Sequence, residues 1–300
     1  MKILFKKTLK FFKLYKFALV CHKLLTSLII RFHLLNPHRL VTREHVVFKL
    51  DIRKTIDMHV FRESWEPWII DALKKLLKQG DIVVEAGANI GAHSLIIGKI
   101  VGPSGKLYCF EPTNYAFQKL LLNINLNNFQ PVIRPEQTVL TNAHYEMPIT
   151  SMVSDFKLLA KEDEVGEDIT GCQVTSIDNY VEENQIPTLK LMKIDVDGYD
   201  YKVLAGAKKT IIRNRPIILI ELANFTLNRQ GDSVKDIYIF LADLNYTGFY
   251  LSTPTNNNYM SGLKINSPEE ILHISGNSSH VDSIFLPAET ADELHSLVFN

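Results

Sequence analysis

The chain has 300 residues, with 33 basic and 33 acidic side chains and therefore a formal charge of zero. Its composition, 46% hydrophobic and 22% charged, is that of an ordinary globular protein. This excludes intrinsic disorder, collagen-like repeats and a coiled-coil rod as descriptions of the whole chain. The three cysteines are too few for a disulfide framework, which indicates a protein that folds in a reducing compartment.

The zero net charge hides a basic arm, because residues 1–43 carry seven Lys, three Arg and no acidic residue. Lys23 interrupts the longest apolar run, so that run is too short to span a membrane. We expect residues 1–35 to form an amphipathic helix at a membrane surface, rather than one that packs on the remaining chain. The remaining chain is acidic and repels phosphates, so we expect no nucleic-acid partner. The predicted location is cytoplasmic, at the cytoplasmic face of a membrane.

Residues 44–80 predict a hairpin and a helix that precede the core. Apolar and polar side chains alternate across residues 45–61, which predicts two strands joined near Lys54. Ser64 can then cap a helix that has one apolar face and ends at Gly80.

From residue 81 onward, short apolar strands alternate with amphipathic helices. The predicted strands are residues 81–85, 106–111, 131–134, 189–196, 216–222, 246–251 and 281–286. The predicted helices are residues 92–101, 114–127, 199–213 and 237–244. The alternation predicts an α/β domain over 81–300, with a doubly wound, mostly parallel sheet between two layers of helices. Residues 135–189 are less regular and longer than an ordinary connection, so we predict an insertion there.

A glycine-containing loop follows the first strand of this domain. Residues 85–91 read Glu-Ala-Gly-Ala-Asn-Ile-Gly and lie between a predicted strand and a predicted helix, where nucleotide cofactors dock. Gly87 and Gly91 permit a tight turn and close approach of the backbone to a ligand. Glu111 ends the next strand 20 residues past the loop, the spacing of a carboxylate that binds ribose hydroxyls.

The loop also distinguishes between cofactors. Its glycines fit a G-x-G-x-x-G dinucleotide motif poorly, and no GK[ST] follows as it does in a P-loop. Glu85 suits the cationic methionine end of S-adenosylmethionine, directly or through water, better than it suits a pyrophosphate. We therefore predict S-adenosylmethionine as the cofactor. The alternative is that the glycines only turn the chain and that Glu85 only faces a helix dipole.

Five motifs resemble those of the FkbM-type methyltransferases, a branch of the class I S-adenosylmethionine-dependent fold. They are EAGANIG at 85–91, FEP at 110–112, KIDVDG at 193–198, VLAGA at 203–207 and PIILIEL at 216–222. The resemblance covers about 64–222 and implies a seven-stranded, Rossmann-like sheet. It also implies O-methylation, often of a hydroxyl on a sugar, glycolipid or secondary metabolite. Glu85 stands where the family usually has Asp, and Asp197 where it usually has Glu, which changes the reach of each carboxylate.

These motifs supply the candidate site residues. The predicted cofactor-binding residues are Glu85, Gly87, Ala88, Asn89, Gly91, Glu111 and Asp195. Methyl transfer to an alcohol calls for a general base, because the pKa of a hydroxyl is far above neutral. Asp195, Asp197 and Glu221, near the ends of the fourth and fifth strands, are the catalytic candidates, as base, acceptor ligand or ligand of a divalent ion. No residue pattern supports a zinc site, and we predict no metal centre.

Neighbouring residues carry alternatives. Lys193 lies two residues before Asp195 on the same side of the strand, which predicts a buried salt bridge. Asp197 shares that side only if the strand continues, and it also fits a helix cap. His93 and His144 are further candidate bases.

Two other functions fit parts of the sequence. Tyr115 and Lys119 match the Tyr-x-x-x-Lys pair of NAD-dependent short-chain oxidoreductases, but they fall in the second strand–helix unit, far before that family's catalytic pair. A membrane-tethered, non-catalytic protein of the same fold would also retain the cofactor motifs. Stabilisation by S-adenosylhomocysteine but not by NAD tests the first alternative. Methyl transfer to a small-molecule or glycan acceptor tests the second.

Overall fold

A seven-stranded sheet forms the centre of the molecule. The computed structural model describes residues 36–142, 151–152, 167–169, 172–251, 262–275 and 280–299. The predicted arm helix and much of the predicted insertion therefore lie outside the described residues. Within the described ranges, no helix is long and apolar enough to cross a membrane.

The elements follow in chain order. The strands are β1 (His38–Arg43), β2 (Val46–Asp51), β3 (Ile82–Ala86), β4 (Lys106–Phe110), β5 (Ile133–Glu136), β6 (Thr138–Leu140), β7 (Ser151–Met152), β8 (Glu167–Asp168), β9 (Gln173–Thr175), β10 (Leu191–Ile194), β11 (Ile217–Leu222), β12 (Tyr246–Tyr250) and β13 (Val281–Pro287). The helices are α1 (Thr55–Phe61), α2 (Pro67–Leu76), α3 (Ser94–Val101), α4 (Asn114–Leu126), α5 (Ile177–Glu183), α6 (Asp200–Ala205), α7 (Lys208–Asn214), α8 (Asn224–Arg229), α9 (Val234–Asp243), α10 (Pro268–Ser275) and α11 (Ala291–Phe299), with a 3₁₀ turn at Ala288–Thr290.

The strands of the central sheet lie in the order β5–β4–β3–β10–β11–β13–β12. Neighbours from β5 to β11 are parallel, whereas β13 is antiparallel to both β11 and β12. The predicted seven-stranded, mostly parallel sheet is confirmed. The order reverses between β3 and β10, and ligands of such sheets bind beyond the carboxyl ends of the strands at that reversal.

Helices cover both faces of the sheet. Val83 belongs to one apolar core with the β1–β2 hairpin, α2, α3, α4 and α11, while Val84 belongs to a second core with α5 to α10. Continuous apolar runs such as those of β10 and β11 are what a parallel sheet buried on both faces requires. Glu85 and Lys193 interrupt the first face at its carboxyl edge, where they are paired across β3 and β10.

The hairpin before the core begins earlier than predicted. Its turn is formed by Glu44 and His45, which both have positive φ angles, of 47° and 60°. The predicted second strand forms α1 instead, so that prediction is wrong. In α1, Asp57 accepts a hydrogen bond from the Asp51 amide and lies 2.8 Å from Lys119 Nζ. These tertiary contacts override the local alternation of the sequence.

Two helices also differ from their predicted bounds. Pro67 is the first residue of α2, a position that suits proline, so the helix begins after Glu66 rather than at Ser64. The predicted helix 199–213 is two helices, α6 and α7, separated at Gly206. A Cβ on Gly206 would lie 2.2 Å from the carbonyl oxygen of Thr141. This glycine therefore allows the backbone between α6 and α7 to pack closely against the backbone of Thr141.

Candidate functional site

A cleft opens where β3, β4, β10 and β11 end, beside the reversal of strand order. It encloses about 730 Å³, including its mouth. Its lining comes from the loop after β3, the turn after β4, the end of β10 with the residues that follow it, β11, and the segment before α2. The predicted site residues that line the cleft are Gly87, Ala88, Asn89, Glu111, Asp195, Asp197 and Glu221.

The loop after β3 is tied to the neighbouring strands. Gly87 N and Ala88 N each donate a hydrogen bond to Phe110 O, at 3.0 Å. Gly87 has φ 81°, and a Cβ on it would lie 1.7 Å from Asp195 O. Only glycine lets the loop pass this close to the residue that follows β10. Gly91, with φ 89°, closes the loop before α3 and does not line the cleft.

The Glu111 carboxylate lies in the cleft wall beside the loop. It is 4% exposed, and its Oε2 accepts a hydrogen bond from Asn89 N at 2.9 Å. Its Oε1 accepts from the amide and the hydroxyl of Thr113, at 2.9 and 2.6 Å. These contacts fix an anionic group at the end of the strand next to β3, the position at which a ribose is bound in doubly wound folds. The ribose role of Glu111 stays a prediction.

Glu85 lies beneath the cleft rather than in its wall. It is 1% exposed, and its Oε2 accepts a hydrogen bond from Ser94 Oγ at 2.5 Å. Burial raises the pKa of Glu85, while Lys193, whose Nζ is 3.9 Å from Oε1, lowers it. Glu85 does not line the cleft, and its predicted role in cofactor binding stays a prediction.

Lys193 forms the predicted buried salt bridge. Its Nζ lies 2.9 Å from Asp195 Oδ2. Burial alone would lower the pKa of Lys193, but the nearby carboxylates of Asp195, Glu85 and Glu66 raise it above its ordinary value. Among the described residues that line the cleft, Lys193 is the only Lys or Arg.

Asp197 does not share a strand face with Asp195. β10 ends at Ile194, and Asp197 has a left-handed φ of 49°. Its exposed side chain belongs to the rim of the cleft.

Asp200, which the motif analysis missed, holds the turn after β10. Its Oδ1 accepts a hydrogen bond from Val196 N at 3.1 Å, and its Oδ2 accepts from Gly198 N at 3.0 Å. Asp200 therefore holds the turn that precedes α6, and the N-cap residue of that helix is Tyr199 rather than Asp197. Burial, and then the charge of Asp195, raise the pKa of Asp200 to about 6.

Near the end of β11, Glu221 lies opposite Asp282 across the β11–β13 pair. Asp282 also accepts a hydrogen bond from Trp68 Nε1 at 2.6 Å. Burial, followed by the charges of Asp195 and Asp282, raises the pKa of Glu221 well above its ordinary value. His280 Nδ1 lies 3.7 Å from Glu221 Oε1. The Glu221 carboxyl group therefore keeps its proton to a higher pH than a free carboxyl group does.

Glu66 and His93 complete the lining on the side of α2 and α3. His93 is 3% exposed, and its Nε2 lies 3.5 Å from Glu66 Oε2. Burial, and then the charge of Lys193, lower the pKa of His93 well below its usual range, which keeps the ring neutral. Sequence reasoning missed Glu66 because it precedes the motifs and reaches the cleft through the packing of α2. His144, the other candidate histidine, lies outside the described residues.

The two residues that match the oxidoreductase motif lie outside this cleft. Tyr115 and Lys119 do not line it, and Lys119 is paired with Asp57. The described residues contain no group of three His, Cys, Asp or Glu side chains able to hold a metal ion.

The residues present fit S-adenosylmethionine. Gly87, Ala88 and Asn89 line the cleft, so the loop backbone lies against any ligand that occupies it. Lys193 would offer a positive charge to the methionine carboxylate, and Asp195 would offer a negative charge to the methionine ammonium; both assignments stay predictions. Glu111 lies beside the loop, where the ribose is expected.

Solved structures share this architecture only weakly. The FkbM methyltransferase of Methylobacillus flagellatus is 13% identical, with a TM-score of 0.42, over 71% of this chain and 47% of that chain. TYW2 of M. jannaschii, in complex with AdoMet, is 13% identical, with a TM-score of 0.43, over 84% and 88%. A SAM-dependent O-methyltransferase of Thermotoga maritima is 9% identical, with a TM-score of 0.40, over 84% and 78%. These similarities carry no argument about chemistry.

Family membership comes from the sequence. No curated protein matches the chain. Residues 85–247, more than half of the chain, match the model of the methyltransferase FkbM domain. This range contains the loop and every acidic residue in the described lining of the cleft except Glu66. The chain therefore belongs to the FkbM methyltransferase family, and its cofactor is S-adenosylmethionine.

Proposed function

We propose that this methyltransferase acts on a hydroxyl oxygen of a sugar, a glycolipid or a secondary metabolite. The observation that supports this is the lining of the cleft, where, among the described residues, five acidic side chains face a single ammonium group. The acidic side chains are those of Glu66, Glu111, Asp195, Asp197 and Glu221. A carboxyl group forms hydrogen bonds with hydroxyl groups in either protonation state, and in its ionised form it can receive their protons.

The acidic lining of the cleft also disfavours nucleic acid as an acceptor. A nucleic acid would bring phosphates toward a cleft whose only Lys or Arg, within the described part of the chain, is already paired with Asp195. A neutral polyhydroxyl compound meets no such repulsion. The cleft therefore suits a glycan or a hydroxylated small molecule.

The test is methyl transfer from a cofactor with an isotopically labelled methyl group. The acceptor panel contains oligosaccharides, glycolipids, lipid-linked sugars and hydroxylated metabolites, with RNA and DNA as comparisons. We expect labelled methyl ethers, located by fragmentation in a mass spectrometer, and loss of labelling in Asp195→Asn. Labelling of nitrogen, carbon or nucleic acid would contradict the proposal. Cofactor binding without transfer to any acceptor would favour the non-catalytic alternative.

We further propose that residues 1–35 hold the protein at a membrane surface. The support is the sequence pattern, in which lysines alternate with large apolar side chains and acids are absent. Such a position would bring the cleft close to lipid-linked acceptors.

A further inference from the structure

One buried polar atom in the cleft lacks a partner. His93 Nε2 makes no hydrogen bond within the described part of the chain, although His93 is only 3% exposed. Buried polar atoms in native proteins are nearly always hydrogen-bonded, so an atom of this kind points to a missing group. Glu66 Oε2 lies 3.5 Å away, and both side chains line the cleft. A hydroxyl group beside this pair, within hydrogen-bonding distance of both atoms, would satisfy both.

Glu66 is held in position by the chain on either side of it. Its backbone is left-handed, with φ 36° and ψ 58°, which is unfavourable for a residue other than glycine. Pro67 follows as the first residue of α2, and Ile69 and Leu73 anchor that helix in the core below. The carboxylate is therefore presented to the cleft by a fixed element, at a conformational cost that the packing of α2 offsets.

Glu66 lies on the side of the cleft away from Glu111. Trp68, two residues after Glu66, donates a hydrogen bond to Asp282 of β13, whereas Glu111 follows β4, on the other side of β3 and β10. The charges that act on Glu66 belong to Asp282, Lys193, Asp195 and Glu85. Burial, and then the charges of Asp282 and Asp195, raise the pKa of Glu66 well above its ordinary value, and Lys193 opposes this. With the ribose at Glu111, a cofactor that extends along the cleft would carry its sulfonium end toward Glu66.

We propose that Glu66 binds the acceptor hydroxyl and receives its proton, an inference that rests on the proposed O-methylation. When bound, S-adenosylmethionine supplies the methyl group, and its sulfur keeps the electron pair of the bond that breaks. One carboxylate oxygen of Glu66 takes the hydroxyl proton while the acceptor oxygen bonds to the methyl carbon. His93, as a neutral ring, hydrogen-bonds to the same hydroxyl without adding a positive charge beside the sulfonium.

The test uses two cofactor analogues and needs no acceptor. In sinefungin a protonated amine replaces the methyl sulfonium, whereas S-adenosylhomocysteine has a neutral sulfur there, and both retain the methionine ammonium. The ratio of their dissociation constants, measured by calorimetry on the full chain, therefore reports the carboxylates that face the transferred methyl. We expect Glu66→Gln to reduce the preference for sinefungin by about tenfold or more, the effect of losing a hydrogen bond to a charged group. Affinity for S-adenosylhomocysteine and the melting temperature should be retained.

Glu63→Gln is the matched control, since Glu63 lies on the same segment, is 70% exposed and pairs with Arg43 at the surface. It should keep the wild-type ratio. An unchanged ratio in Glu66→Gln would overturn the proposal, and so would equal weakening of both analogues, which would place Glu66 at the methionine ammonium. A wild-type protein with no preference for sinefungin would overturn it as well. Because the readout is binding, failure of the acceptor panel does not affect these outcomes.

Discussion

At the scale of single residues, Gly87 is where the cofactor loop is most sensitive to change. An alanine there must adopt φ 81° and place its Cβ 1.7 Å from Asp195 O. The left-handed backbone costs about 1–2 kcal/mol, and relief of the overlap adds about 1–3 kcal/mol. We expect Gly87→Ala to lower the free energy of unfolding by the sum of these effects and to abolish binding of S-adenosylhomocysteine, measured by denaturation and calorimetry.

Gly231 provides the matched control. It has φ 80°, but nothing lies within 4 Å of a Cβ placed on it. Gly231→Ala should cost only about 1–2 kcal/mol and leave cofactor binding intact. Equal effects of the two substitutions would show that close approach to Asp195 is unimportant.

Glu111 tests the nucleoside end of the cleft. Glu111→Ala removes the acceptor for the Asn89 and Thr113 groups and for the expected ribose hydroxyls. We expect affinity for S-adenosylhomocysteine to fall about 10- to 100-fold, the range for hydrogen bonds to a charged group. Glu136→Ala, at the end of the neighbouring β5 but outside the cleft, should bind as the wild type does. Wild-type affinity in Glu111→Ala would remove the ribose role.

The sequence predicted some residues of the cleft and missed others for a physical reason. The sequence predicted Gly87, Glu111 and Lys193 because each lies at or near the end of a strand, where the topology of the sheet alone brings side chains together. Glu66 reaches the same cleft through the packing of α2, and Asp282 lies opposite Glu221 through the antiparallel pairing of β13 with β11. No local pattern encodes those contacts.

At the scale of elements, the turn between β10 and α6 should make stability depend on pH through Asp200. Its pKa is raised from 3.8 to about 6, so the folded state holds this proton over a range in which the unfolded state releases it. The free energy of unfolding therefore falls as pH rises from about 4 to about 6. The Asp200 contribution is about 3 kcal/mol. Urea denaturation of the cofactor-free protein across this range measures it.

Asp200→Asn separates this contribution from that of the other buried carboxyls. Burial also raises the pKa of Glu66, Glu85 and Glu221, so those groups give a slope of the same sign. In the variant, the pH dependence of the free energy of unfolding should retain the contribution of those three groups and lose the contribution of Asp200. If its pH dependence equals that of the wild type, Asp200 is ionised in the folded protein as it is in the unfolded chain.

Elements with strong periodicity were predicted well, and those fixed by distant contacts were not. β3, β4 and β11 are apolar runs that only a sheet covered on both faces can bury, so their assignment needed no tertiary information. By contrast, the break at Gly206 exists because the Thr141 carbonyl packs against it. The helix α1 likewise depends on the pairing of Asp57 with Lys119.

At the scale of the whole molecule, charge is divided between a basic arm and an acidic remainder. If the arm binds a membrane surface, each lysine near anionic lipid contributes about 1 kcal/mol. Replacing Lys6, Lys10 and Lys13 with Gln should then weaken binding to phosphatidylserine-containing vesicles by on the order of 100- to 1000-fold in co-sedimentation.

The control carries the same change of charge elsewhere. Lys208, Lys209 and Lys235 are exposed on α7 and α9. Their replacement with Gln should leave vesicle binding unchanged. Equal loss of binding in both triple variants would show a nonspecific effect of net charge, and no loss in either would remove the arm from membrane binding.

The fold class followed from the sequence because alternating strands and helices leave few topologies, and the motifs identified the carboxyl edge of the sheet. If Glu66 binds the acceptor as proposed, acceptor preference depends on segments outside the motifs, such as the one that carries Glu66. The composition of those segments does not reveal which part of the cleft they cover.

A crystal structure of the S-adenosylhomocysteine complex tests the central claim most directly. We predict the ribose hydroxyls at Glu111, the ligand backbone against Gly87, and the sulfur directed toward Glu66 and Glu221. A nucleoside bound elsewhere, or a sulfur directed away from those two carboxylates, would contradict the assignment of the cleft.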